Sequence, residues 1–328
     1  MQPNDYIQQQ LRLLKSNSEP SPTTDSTAES IFTILMRKNR GFRKWSVDEN
    51  SQAHIRTAID THIKNASPIH FTFPFGGYKL FSLPTAPLAD WAEIFMFIHI
   101  AKYLLPITEI YSAGVKVSFW SDDKAVLRMN NVPVADTDAY MKSFSEIVAF
   151  MNSLTPQNMQ FELIRVQDLY TDEEYEAEFA EKFAQAREKY LQFDDKLKAK
   201  FHKMSSLNIN WNGEEDLTSL SEKEKEDKLV QSAIYHNIEI SLKKRVDFVK
   251  GADKILLFSS KIQNGIGIGT TKSSMTKFWT GVGALQKDGE GFRQIILPPS
   301  KLDLLERAKQ FDIRLSLSNE NLEQIFVI

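Results

Sequence analysis

Cysteine is absent from the 328 residues. That excludes disulfide staples, thiolate nucleophiles and cysteine-ligated metals, and it is compatible with a reducing compartment, so a cytoplasmic location is expected. Histidine is scarce. His54, His62, His70, His99, His202 and His236 form no pair at zinc-motif spacing, and no serine stands in a nucleophile-elbow sequence. Neither sign of charge dominates: 40 Lys and Arg against 43 Asp and Glu leave a formal net charge of -3. The basic field that draws proteins onto phosphate backbones or anionic membranes is therefore missing, and neither a nucleic-acid nor a membrane partner is expected. Long hydrophobic runs are lacking too. The most apolar stretch, Trp91 to Leu105, is interrupted by Glu93, His99 and Lys102 and meets Pro106, which is expected to end or kink it. It reads as a buried helix, not a bilayer span. The first 19 residues hold only a short Leu11, Leu13, Leu14 cluster among polar side chains, unlike a secretory signal.

What is present is material for a core: 42% of residues are hydrophobic and 11% aromatic, enough for one large domain or two smaller ones. Residues 16–30 are rich in Ser, Thr and Pro, and residues 1–28 read as a flexible leader. Helices are expected from about Glu29, ahead of a basic patch at Arg37, Lys38, Arg40, Arg43 and Lys44, and over 49–64. Ile69 to Phe75, Val115 to Trp120 and Gln160 to Val166 read as strands, separated by helices that open near Pro87 and span 136–154. Such alternation over 29–170 predicts an α/β fold with a Rossmann-like, mainly parallel sheet flanked by helices. In the 171–250 segment, Tyr175, Phe179, Phe183, Tyr190, Phe193, Leu197 and Phe201 recur at helical spacing, predicting one long amphipathic helix over 172–203 and a second over 222–249. Eight of the chain's 13 glycines fall between Gly251 and Gly291. Strands at 254–259, 278–285 and 291–297 make 251–328 a β-rich part, expected to join the same sheet.

Four local patterns carry chemistry. Gly76-Gly77 follows the first strand and precedes Lys79, so backbone amides and an ammonium can meet an anion there, although Walker spacing is absent and a plain turn explains the glycines equally. Asp90-x-x-Glu93 puts two carboxylates on one helix face, suited to acid–base work, to a substrate ammonium, or simply to the dipole at a helix start. Ser121-Asp122-Asp123 ends the Val115 strand, where open α/β sheets bind ligands, with Arg128, Asn130 and Asn131 close behind. Its paired carboxylates suit a hard cation or an amine. The run Gly265 to Gly269 fails the dinucleotide fingerprint and looks like a strand with one crowded face. The hydroxyl-rich turn after it, with Lys272 and Lys277, suits a phosphate.

The stretch from His70 to Leu169 resembles the isonitrile (isocyanide) synthases of the pyoverdine and dityrosine biosynthesis family. The resemblance rests on Pro74-Phe75, on Asp90-x-x-Glu93 opening an apolar helix, on Tyr111 and Gly114 before the Val115 strand, on Ser121-Asp122 at its end, and on Tyr140 in the next helix. Two departures stand out: Gly76-Gly77-Tyr78 separates Lys79 from Pro-Phe, where the family has Lys directly, and Asp123 replaces a usual glycine. The resemblance implies a Rossmann-like enzyme, without cofactor or metal, that condenses the amine of an amino acid with a phosphorylated ketose and converts that nitrogen to an isonitrile. Its partners are then small molecules, an amino acid and a sugar phosphate. Lys79 and Lys272 are assigned to the phosphate, Glu93 and Asp122 to proton transfer or the amine, and Arg128 to a carboxylate; Asp90, Ser121 and Asp123 complete the substrate-binding set. Two other readings stand beside it. One is a metal-dependent glycosyl- or nucleotidyl-transferase using Asp122-Asp123, and the other a non-catalytic protein presenting an aromatic stripe on the 172–203 helix to another chain.

Overall fold

A computed structural model describes residues 1–15, 27–37, 45–259, 261–268 and 277–328. Segment 16–26, the basic residues Lys38, Arg40, Arg43 and Lys44, and the turn that holds Lys272 lie outside the described residues. The helices are α1 (Pro3–Arg12), α2 (Thr27–Met36), α3 (Glu49–Lys64), α4 (Trp91–Thr108), α5 (Asp123–Asn130), α6 (Val134–Leu154), α7 (Asp172–Leu191), α8 (Asp195–Asn208), α9 (Glu222–Glu239) and α10 (Lys243–Val249). Five strands, β1 (Ile69–Phe75), β2 (Val115–Ser121), β3 (Met159–Arg165), β4 (Lys254–Phe258) and β5 (Gly265–Gly267), pair in parallel in the order β3-β2-β1-β4-β5. The expected parallel α/β sheet is thus present.

β1 and β2 are buried along nearly their whole length, as parallel strands covered on both faces should be. Phe71, Phe73, Phe75, Val117, Phe119 and Phe161 enter one core with α4 and α6. Within it Phe75 stacks on Phe144 at 4.9 Å and Phe97 tilts against Phe119 at 4.8 Å. The other face, through Trp120 and Leu256, meets α7, α9 and α10. α4 is apolar on nearly every side, with Glu93 and His99 buried among its apolar residues, because it lies inside. It is the one described helix long and apolar enough to cross a membrane, and 83% of that window is buried in the fold. Pro106 does not end it. Proline cannot donate to the carbonyl four residues earlier, and the Arg37 guanidinium donates there instead, to Lys102 at 3.4 Å and to Tyr103 at 3.0 Å.

Three expectations are corrected. Residues 3–12 of the expected leader form α1, which buries Ile7 and Leu11 and sets Tyr6 edge-on to Phe292 at 5.7 Å; three apolar residues at helical spacing outweigh the polar majority once a surface receives them. The expected 172–203 helix breaks after Leu191. Asp194 caps α8 by accepting from the Leu197 N–H at 2.7 Å, and the chain folds back so that Phe193 stacks on Phe201 at 5.3 Å. Tyr175, Phe179 and Tyr190 are buried, which removes the exposed aromatic stripe on which a docking role would rest. The expected 222–249 helix likewise divides into α9 and α10.

The C-terminal part divides between sheets. β4 and β5 join the parallel sheet, but β6 (Val282–Asp288), β7 (Gly291–Leu297), β8 (Lys309–Asp312) and β9 (Gln324–Val327) form a separate mixed sheet in the order β7-β6-β9-β8. This sheet packs on the start of α4, where the Trp91 indole donates to the Gln324 carbonyl at 2.8 Å.

Candidate functional site

β2 and β4 flank β1, so the direction of chain progression reverses at β1, and ligands of open α/β sheets bind outside the carboxyl ends near such a point. Gly76-Gly77 leaves β1 there. Gly77 has φ +73, and a Cβ on it would lie 2.1 Å from the Ser121 hydroxyl and 3.3 Å from a carboxylate oxygen of Asp123. The glycine is therefore required by the protein's own packing: the loop is pressed against the end of β2 on its way to Lys79.

Lys79 enters a closed ionic cluster. Its ammonium donates to both carboxylate oxygens of Glu93 at 3.0 Å and to the Phe278 carbonyl at 3.1 Å, and lies 3.2 Å from Asp90. The Tyr140 hydroxyl donates to Glu93 at 3.1 Å. Asp90 caps α4 by accepting from Ala92 N–H at 2.6 Å while Glu93 accepts from Asp90 N–H at 2.7 Å, a capping box. The helix-start reading of Asp90-x-x-Glu93 is thus met, and the same two carboxylates also hold the chain's own Lys79. Side chains of Lys79, Asp90 and Glu93 are at most 1% exposed. Burial pushes the Glu93 carboxyl up to about 7, opposed by Lys79 and reinforced by Asp90, and burial followed by Glu93 raises the Tyr140 phenol well above its ordinary range.

The Glu93 shift has a measurable sign. From its ordinary value of 4.5 up to about 7, the folded protein holds a proton that the unfolded chain has lost. The stability it contributes is therefore complete below the unfolded value and lost as pH rises through the folded one, on the order of 3 kcal/mol in all. Glu93→Gln should flatten this slope. Urea unfolding at pH values below and above the interval tests it, and an identical slope in both proteins would sink the assignment.

At the end of β2 the two aspartates part company. Asp122 is buried and accepts from the Tyr175 hydroxyl at 3.2 Å. Asp123, 2% exposed, accepts from the Ser121 hydroxyl, from Arg165 and from Gln167, the last at 3.2 Å; burial lifts its carboxyl above the ordinary range despite Ser121 and Arg165. Engaged in separate directions, the pair does not present a joint cation site, and among the described residues no group of three His, Asp or Glu side chains could hold a metal ion. Asp123 lines a cleft of 630 Å³ with Lys124, Arg128, Thr137, Asp138 and Arg165. Arg128 is tied to Glu176 and lies 4.4 Å over the Phe179 ring. The candidates therefore separate: Lys79, Asp90, Glu93 and Tyr140 lie inside, Asp122 faces Tyr175, and Asp123 and Arg128 line the cleft, with Ser121 buried against Asp123. Sequence reasoning missed Arg165, Thr137 and Asp138. Only Arg165 had a readable signal, its position at the carboxyl end of a strand.

The fold and site are those of a doubly wound α/β protein with a polar cleft at the carboxyl edge of its sheet. Its fold is similar to that of the PvcA protein from Pseudomonas aeruginosa, with a TM-score of 0.64 and 14% identity over 92% of this chain and 99% of that one. A tyrosyl-tRNA synthetase from Aeropyrum pernix aligns with a TM-score of 0.34 and 11% identity over 70% of this chain and 52% of its own, too loosely to bear on this fold. No family model and no curated protein matches the sequence.

Proposed function

We propose that this chain is a small-molecule biosynthetic enzyme of the PvcA kind, joining an amino-acid amine to a phosphorylated ketose. The observation that carries the reading is Glu93, a buried carboxyl held near neutral pKa between Lys79 and Tyr140, in a fold matched to PvcA over nearly its whole length and in the stretch that resembles the isonitrile synthases. An amine must shed a proton before it attacks a carbonyl, and the carbonyl oxygen must gain one. A group titrating near the working pH serves both steps. In this reading Glu93 moves the proton, with Asp122 as the second carboxylate, and Asp90, Ser121 and Asp123 bound the substrate side. Lys79 meets the phosphate by exchanging its neutral partner, the Phe278 carbonyl, and Lys272 is the second proposed cation.

Thermal-shift screening against pentulose phosphates, amino acids, and nucleotide sugars with a divalent cation tests the proposal, because a ligand that binds only the native state raises its apparent stability. Stabilisation by a pentulose phosphate or an amino acid, with product formation lost in Glu93→Gln, is expected. Stabilisation only by a nucleotide sugar together with the cation would replace this reading by a transferase.

A further inference from the structure

We infer that the cleft at the ends of β2 and β3 is the seat of the substrate's amino-acid end, its carboxylate held by Arg165 and Thr137 and its ammonium by Asp138. This rests on the reading that the substrate is an amino acid. Thr137, in the first turn of α6, lines the cleft and is 3% exposed, yet among the described residues its hydroxyl has no hydrogen-bond partner. A buried hydroxyl left without a partner is a standing cost to the fold, and a ligand acceptor in the cleft removes it.

Arg165 supplies the charge. Its Nε holds Asp123 at 2.5 Å and its Nη2 holds Asp138 at 2.9 Å. The two partners are unequal. Asp123 is 2% exposed and also held by Ser121 and Gln167, whereas the Asp138 side chain is 57% exposed, and an exposed ion pair is weak and screened. An incoming carboxylate replaces Asp138 on Nη2 and accepts from Thr137 with its second oxygen. Asp138, released, faces the ligand's ammonium. Leu127, Val134 and Tyr170 line the same cleft and suit an apolar side chain. The cleft, at 630 Å³, is of the size that takes small molecules.

The exchange selects for a zwitterion. A plain carboxylic acid displaces Asp138 and gives it no new partner, and a plain amine leaves the Thr137 hydroxyl unsatisfied. Arg128, which the resemblance assigns to the carboxylate, lines the same cleft tied to Glu176, and its variant is therefore the comparison for Thr137.

Calorimetric titration of the full chain decides the matter, with L-tyrosine and L-leucine as probes and tyramine and hydroxyphenylpropionate as the single-charge controls. Arg165 itself is left intact, since removing it would strand buried Asp123. Wild type is expected to bind at least one amino acid, and the single-charge controls more weakly. Thr137→Val should weaken amino-acid binding about tenfold, the worth of one or two hydrogen bonds, whereas Asp138→Asn, which removes both the ammonium's partner and the ligand's competitor for Arg165, should abolish the preference for L-tyrosine over hydroxyphenylpropionate. The melting temperature of ligand-free Thr137→Val should be unchanged or higher, which separates a lost contact from a lost fold. Wild-type affinity in Thr137→Val, an undiminished preference for the amino acid in Asp138→Asn, or a loss confined to Arg128→Gln overturns the inference and leaves the proposed function standing. Failure of the wild type to bind either amino acid overturns the inference, and it overturns the proposed function as well if no pentulose phosphate stabilises the protein.

Discussion

Replacing Lys79 by Met should cost about 3–5 kcal/mol of stability above neutral pH, the range seen when one partner of a buried ion pair is removed. The cause is what remains. Glu93 and Asp90 stay inside, 0% and 1% exposed, without the ammonium that compensates them, and the backbone carbonyl of Phe278 loses one of its two donors, keeping the Gly281 N–H at 3.3 Å. Methionine fills much the same volume, so a cavity contributes little and the loss is electrostatic. The pH dependence distinguishes this from a packing defect. With Lys79 present, Glu93 titrates at about 7; without it the carboxyl rises further, because the Lys79 charge is the effect that lowers it. Below that pH Glu93 is protonated in both proteins, so the deficit should shrink as pH falls. Urea unfolding of wild type and Lys79→Met across that range measures it. A deficit that stays constant with pH would mean the cluster matters only as packing, and no deficit at all would remove the cluster as a stabilising element. Lys79→Met with Glu93→Gln should recover part of the loss, since the second change removes one stranded charge.

Five of the strands were legible to within a residue or so, whereas β6 begins four residues later than expected, after a 3-10 turn at Phe278–Thr280, and β8 and β9 carry no readable pattern. β1 and β7 lie where alternation and β-branched content place them, and β2, β3 and β4 differ from expectation only at their ends, because half a strand's pattern is imposed by the two faces it must bury. Helix breaks were not. The apolar period runs on through Phe193 and Phe201, and Asp194, the residue that stops one helix and starts the next, is as ordinary on a solvated helix face as at a cap. The division of the C-terminal strands between two sheets was hidden for a different reason: pairing partners are chosen by tertiary contact, and β6 finds β9 across more than thirty residues of chain. The site divides the same way. Ser121-Asp122-Asp123 was readable as polar residues at a strand end, but the partners that give each carboxylate its state, Tyr175 and Arg165, come from other elements. Lys79 reads as a possible anion ligand beside two glycines; that it closes on Glu93 depends on the loop folding back onto α4, which no local pattern announces.

Gly283→Ala is the second substitution expected to have a large effect. It tests whether the mixed sheet and the ionic cluster form one packed unit. A Cβ at Gly283 would lie 2.3 Å from both the Ala92 nitrogen and the Trp91 carbonyl carbon. Both atoms are backbone at the start of α4, so no rotamer change relieves the overlap. Either β6 retreats from the helix or the first turn of α4 shifts, and Asp90 and Glu93 sit on that turn. The Gly283 N–H also donates to Asp90 at 3.3 Å, a contact that lengthens if the strand withdraws. Overpacking of a rigid interior costs roughly 1–3 kcal/mol, and backbone on both sides places this site at the upper end. Gly291, which opens the neighbouring strand of the same sheet, is the matched control: a Cβ there would meet only the Asp288 carbonyl oxygen, at 3.8 Å. Its alanine variant should be neutral or slightly more stable, since the unfolded chain loses freedom without any native clash. Urea unfolding of the two variants gives the comparison. Equal stabilities would mean the sheet can part from α4 without cost, and the cluster would then owe its geometry to the parallel sheet and the helices alone.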